Sequence, residues 1–190
     1  MDLLPHRVND IQARIEAACR RAGRAPGACR LLAITKTRHP DEIRPLLAAG
    51  VADLGENYVQ EALPKIGALA DLSPAWHLVG PLQSNKTREV ALHFSWVHSI
   101  DRERIARRLS EQRPATLPPL QVCIQVNIDD EDSKAGVSPA ELPALAAAVA
   151  ALPRLQLRGL MAIPRPGQPD GPGHAYARLA KTLQELAGTI

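Results

Sequence analysis

Short apolar runs alternate with amphipathic segments along nearly the whole chain, and this alternation constrains the fold more than any other feature. Leu31-Leu32-Ala33-Ile34-Thr35 is a continuous apolar run suited to a strand buried on both faces. Residues 41–49 read as a helix with Ile43, Leu46 and Leu47 on one face and Gly50 past its end. The pattern recurs with strands over residues 51–54, 76–79 and 96–100. Between them come a helix over 57–69, with a kink expected at Pro64, and a helix over 84–93 capped by Ser84. Asp101 stands as N-cap of a helix carrying Ile105, Ala106 and Leu109. Residues 120–128 alternate Val122, Ile124, Val126 and Ile128 against more polar neighbours, a clear strand. Ser138-Pro139-Ala140-Glu141 is a capping box with proline at the first helical position, opening a helix to about Ala151. A sixth strand covers 155–163, a Pro/Gly loop 164–173, and the last helix sets Tyr176, Leu179, Leu183 and Leu186 on one face. An amphipathic helix from Leu4 to Ala22 precedes the series.

One leading helix and six strand–helix units give a parallel sheet with helices outside. Such a sheet is either open and doubly wound or closed as a (β/α)8 TIM-type barrel. No Gly-x-Gly-x-x-Gly follows the first strand, which weakens the dinucleotide-binding form. A full barrel takes about 250 residues. At 190 residues the chain reads as a single domain over 1–190, two units short of eight.

The formal charge of +3, from 23 basic and 20 acidic side chains, is too small and too interleaved to imply a nucleic-acid partner. Cys19, Cys29 and Cys123 form no Cys-x-x-Cys pair, and Cys123 sits in an apolar run as a small core residue. Sparse, odd cysteines fit a reducing compartment. No basic region precedes an apolar stretch at the N-terminus, and no run approaches the length of a membrane span. A cytoplasmic protein without membrane contact is expected.

Lys36 stands where the first strand ends and a helix follows, the edge that carries the active site in parallel α/β folds. A lysine there is either a solvent-reaching strand end or an amine nucleophile. After the second strand, Gly55 permits a tight turn, and Asn57 is suited to capping the next helix or to bonding a ligand. His77 lies within the third strand, as a core histidine or as a catalyst. Met161 falls near the end of the sixth strand, where core packing is the default. Asp129-Asp130-Glu131-Asp132 lacks the spacing of a calcium loop and reads as a solvated turn.

Taken together, these segments resemble a known family. Leu32-Ala33-Ile34-Thr35-Lys36-Thr37 resembles the lysine strand of the pyridoxal phosphate homeostasis proteins, also called the PLP-binding protein family. Gly55-Glu56-Asn57-Tyr58-Val59-Gln60-Glu61 and Trp76-His77-Leu78-Val79-Gly80-Pro81-Leu82-Gln83-Ser84-Asn85-Lys86 match its next two signatures. His98-Ser99-Ile100-Asp101, Gln125-Val126-Asn127-Ile128 with Lys134-Ala135-Gly136, and Arg158-Gly159-Leu160-Met161-Ala162-Ile163-Pro164 complete the series. The resemblance implies a single barrel domain similar to that of fold-type III enzymes such as alanine racemase, without their second domain. It further implies that Lys36 forms a Schiff base with pyridoxal 5′-phosphate (PLP), with Asn57, His77 and Met161 at the barrel mouth around the cofactor. Family members continue with a Ser-Met-Gly-Met-Ser type segment and a strand bearing an arginine and a Gly-Thr pair, which hold the phosphate. This sequence ends at Gly188-Thr189-Ile190, so the barrel is expected to be truncated after its sixth unit.

The implied function is a carrier or buffer of PLP, a monomer handing the cofactor to apo PLP-dependent enzymes, rather than an enzyme. In the racemases a tyrosine from the second domain is the opposing base, and neither Tyr58 nor Tyr176 matches it by position. Three other readings stay open: an amino-acid racemase or lyase, a cofactor-free Schiff-base aldolase using Lys36, and a barrel fragment that binds nothing.

Overall fold

The computed structural model describes residues 4–129, 136–164 and 172–187. Residues 130–132 of the acidic run, Lys134, Ala135 and most of the 164–173 loop lie outside the described residues. The chain forms two compact units, Met1–His77 and Leu78–Ile190.

The first unit contains α1 (Leu4–Arg21), β1 (Leu32–Ile34), α2 (Pro40–Ala48), β2 (Asp53–Glu56), α3 (Val59–Ala68) and all but the last residue of β3 (Ala75–Leu78). β1 and β2 pair in parallel, Leu32 with Asp53 and Ile34 with Gly55. Ile43 of α2, Leu54 of β2, Ala62 of α3 and Leu69 just past it are fully buried, and α3 packs against β2. α2 begins at a capping box absent from the sequence reading: the His39 ring accepts from the Asp41 N–H, and Glu42 accepts from the His39 N–H at 2.8 Å. α3 runs from Val59 to Ala68 across Pro64. Its N-cap position is Tyr58, without a side-chain cap, so Asn57 does not cap the helix.

The second unit contains α4 (Thr87–His93), β4 (Trp96–Ile100), α5 (Glu103–Gln112), β5 (Leu120–Gln125), α6 (Leu142–Ala150), β6 (Leu155–Met161) and α7 (Pro172–Ala187). β4, β5 and β6 pair in parallel in that order. Leu142, Leu145, Ala146 and Val149 form the buried stripe of α6, the spacing a helix needs to present one face. The buried Arg113 guanidinium donates to the carbonyls of Ala91, Phe94 and Pro118, tying the ends of α4 and α5 together.

Several local expectations are corrected. Asp101 does not cap α5; its carboxylate accepts from the neighbouring Arg102 guanidinium at 2.6 and 2.7 Å, and a charged donor outbids backbone N–H groups. Ser84 opens a short 3-10 turn, and α4 starts only at Thr87, whose hydroxyl donates to the Ser84 carbonyl. The Ser138–Glu141 box does form, Ser138 Oγ accepting from the Glu141 N–H and Glu141 Oε2 from the Ser138 N–H, each at 3.3 Å, but regular helix begins at Leu142. β1 is not buried on both faces: Ile34 is 48% exposed. Its neighbour on that face is Gly55, which has no side chain to cover it.

Candidate functional site

Lys36 follows β1 by two residues and is exposed at the carboxyl end of the strand. The two faces of the sheet in the first unit are distinguishable from contacts. A Cβ placed on Gly55 would lie 2.6 Å from Ile34 Cδ1 and 3.5 Å from Leu32 Cγ, so Leu32, Ile34 and Gly55 share a face. Thr35 and Glu56 share the other, toward α3: Thr35 Oγ1 donates to Glu56 Oε1 at 2.6 Å, and Lys65 Nζ from α3 donates to the same oxygen at 2.8 Å. Strand alternation then sets Lys36, Asn57 and His77 on the Ile34–Gly55 face, away from α3.

Register fixes their heights. Continuing the β1–β2 pairing brings Asn57 level with Lys36. The Ala75 N–H donates to the Ala52 carbonyl at 2.9 Å, which puts His77 level with Gly55 and Ile34. His77 thus stands one strand repeat, about 7 Å, below the Lys36–Asn57 level. It is buried, and its Nε2 donates to Asp53 Oδ1 at 3.0 Å. Asp53 lies 3.6 Å from the Arg30 guanidinium. Burial holds the His77 ring below the usual histidine range; Asp53 opposes this in part, and Arg30 adds to it. His77 is thus bonded toward the amino end of the strands, below the level of Lys36.

The Lys36 backbone is unusually fixed. Lys65 Nζ also donates to the Thr35 carbonyl at 2.8 Å, and the Thr37 N–H donates to Glu61 Oε2 at 3.3 Å. Thr37 has φ +63°, a left-handed conformation rare for a β-branched residue. Lys65 and Glu56 are both buried, and Glu56 Oε2 has no hydrogen-bond partner among the described residues. The sequence reading missed this ion pair. Its only trace was a lysine in the middle of the amphipathic α3, ten residues past Gly55.

In the second unit, Met161 ends β6, half-buried, opposite Gln125, and its carbonyl accepts from Val126 N–H at 2.8 Å. The β5–β6 register shifts between Val122 and Cys123, and Gly159 there has φ +147°. A bulge of this kind re-aims every side chain beyond it, Met161 included. A cleft of about 440 Å³ in the first unit lies at the other end of the strands from Lys36, lined by Cys19, Cys29, Arg30 and Asp53 among others.

Residues 7–189 match the family model for the alanine racemase N-terminal domain. The pyridoxal phosphate homeostasis protein of Pseudomonas aeruginosa is 54% identical over 187 residues, covering 98% of this chain and 81% of that protein. The Escherichia coli K12 protein of the same name is 54% identical over 169 residues, covering 87% of this chain and 72% of that protein. The chain belongs to the pyridoxal phosphate homeostasis protein family. PipY of Synechococcus elongatus PCC7942, solved with PLP bound, is 35% identical with a TM-score of 0.78, over 94% of this chain and 82% of that one. Alanine racemase from Corynebacterium glutamicum, at 16% identity and TM-score 0.60, over 85% of this chain and 46% of that one, shares the fold. The family's fold is therefore the alanine racemase N-terminal barrel type, here with six parallel strands. Among the described residues no helix is long and apolar enough to cross a membrane.

Proposed function

We propose that this chain binds pyridoxal 5′-phosphate through Lys36 and carries or buffers it within the cytoplasm, without turning over a substrate. The observation that carries the reading is the exposed Lys36 at the carboxyl edge of β1, in a chain 35% identical to a PLP-bound relative. The residues fit the group: Ile34, packed over Gly55, leaves an exposed apolar surface on the face that Lys36 shares with Asn57. When bound, PLP supplies an aldehyde that condenses reversibly with an amine, losing one water.

On this reading Lys36 provides the amine, Asn57 a neutral hydrogen-bonding amide at the same level, His77 a neutral support one level below, and Met161 an apolar contact. Residues 1–190 act as one barrel domain and as a monomer, and apo PLP-dependent enzymes receive the cofactor. The non-catalytic part rests on the proton chemistry. Racemisation needs a second base across the substrate from the lysine. The two tyrosines, Tyr58 and Tyr176, are 55% and 51% exposed, without the enclosure that tunes such a base.

The test is an absorbance titration with PLP, closed by borohydride reduction and peptide mapping. The expected result is a new absorbance band and a pyridoxyl adduct on the Lys36 peptide, absent from a folded Lys36→Ala variant. An adduct mapped elsewhere, or none in folded protein, sinks the assignment. Steady conversion of an added amino acid would overturn the carrier role in favour of an enzyme.

A further inference from the structure

We propose that Glu61 and Lys65 are positioning residues, which clamp the backbone on both sides of Lys36 and so fix the root from which its amine reaches the cofactor. The proposal deepens the PLP reading, since it names what orients the covalent residue of that site.

The geometry is two-sided. The peptide unit before Lys36 is held through its oxygen, the Thr35 carbonyl, by Lys65 Nζ at 2.8 Å. The unit after Lys36 is held through its N–H, that of Thr37, by Glu61 Oε2 at 3.3 Å. The same unit's oxygen accepts from Thr37 Oγ1 at 2.6 Å. Because peptide planes are rigid, the two soft dihedrals of Lys36 lie between two anchored planes. Glu61 and Lys65 are four residues apart on α3, the spacing that stacks side chains on one helix face. Lys65 is itself locked by Glu56 at 2.8 Å, with both side chains buried.

The left-handed Thr37 agrees with this arrangement. A β-branched residue holds φ +63° only where the surroundings over-determine it, and the Glu61 bond falls on that residue's N–H. α3 grips the strand end from one sheet face, while Lys36 stands on the other. The clamp therefore leaves the amine free and restricts only its origin, which is how an ordered frame shortens the search for a reactive geometry.

Two variants of the full chain separate geometry from charge. Glu61→Ala removes the acceptor, and Glu61→Gln retains an acceptor oxygen without the charge. Amide hydrogen exchange at Lys36 and Thr37 is read without PLP, and the rate of covalent linkage to Lys36 is read with it. In Glu61→Ala, exchange at Thr37 rises and linkage slows, each about tenfold, the worth of one hydrogen bond. Glu61→Gln stays near wild type in both. The pair Glu56→Gln/Lys65→Met, which removes both buried charges together, leaves the Thr35 carbonyl only its bond from the Arg38 N–H at 3.1 Å, loosening the preceding peptide unit, and also slows linkage. Wild-type linkage rates in folded Glu61→Ala, or equal defects in the Ala and Gln variants, overturn the clamp. If wild type itself forms no linkage, the PLP reading falls, and the exchange rates alone decide the clamp: faster in Ala but not Gln supports it, unchanged overturns it.

Discussion

His77 donates to Asp53 from a buried position, and burial depresses its pKa below the ordinary histidine value. The folded chain therefore refuses a proton that the unfolded chain accepts once the pH drops below about 6.5. Stability is then full above that pH and declines as the pH falls toward the depressed folded value. Urea midpoints should fall between pH 7.5 and pH 5.5 in wild type, and the dependence should flatten in His77→Asn; a slope unchanged by the substitution would refute the role. The thiols differ as sharply. Burial pushes Cys123 up to about 11, whereas Cys29 is exposed. At pH 8 a thiol of that pKa is ionised only about one part in a thousand. Iodoacetamide followed by mass spectrometry should therefore label Cys29 first and Cys123 last. Cys19, whose thiol is raised by the Cys29 thiol close by, belongs with the slow group.

At the scale of elements, α3 is joined to β1 and β2 by one buried ion pair, Glu56 with Lys65. Removing one partner leaves the other charged and unpaired in the interior, a loss of about 3–5 kcal/mol. Replacing both with apolar residues of similar volume, Glu56→Leu/Lys65→Met, should be far milder, and denaturant unfolding of the single and double variants checks the contrast. This pair also shows where sequence reading stops. The strands and helices were legible because period-two and period-3.6 apolar patterns are local, as in the Val122–Ile128 alternation. Lys36 was legible because its place at a strand end is local too. The Glu56–Lys65 contact was not, because it depends on how a helix packs over two strands. Likewise Asp101 looked like a cap until Arg102 took its carboxylate, and Cys19 and Cys29, ten apart in sequence, meet only through a loop. The β6 bulge left one signal, Gly159, which carries a backbone conformation other residues avoid.

For the molecule as a whole, a ligand that binds only the folded state raises stability by mass action. At a hundredfold excess over its Kd, PLP should add about 2.7 kcal/mol and raise the Tm of wild type. In Lys36→Ala that increment should shrink sharply while the ligand-free Tm stays near wild type, because the lysine is exposed and makes no core contact. Equal PLP shifts in both proteins would show that binding does not depend on the covalent link. Heat resistance is also the property on which the left-handed Thr37 has its broadest consequence. A strained residue of this kind costs about 1–3 kcal/mol. Glycine or asparagine accommodates the same φ with less strain. A library of this chain evolved for survival at high temperature should therefore gather Gly or Asn at position 37, and those thermostable survivors should be the slower cofactor acceptors. The threonine would then be the mark of selection for readiness over endurance.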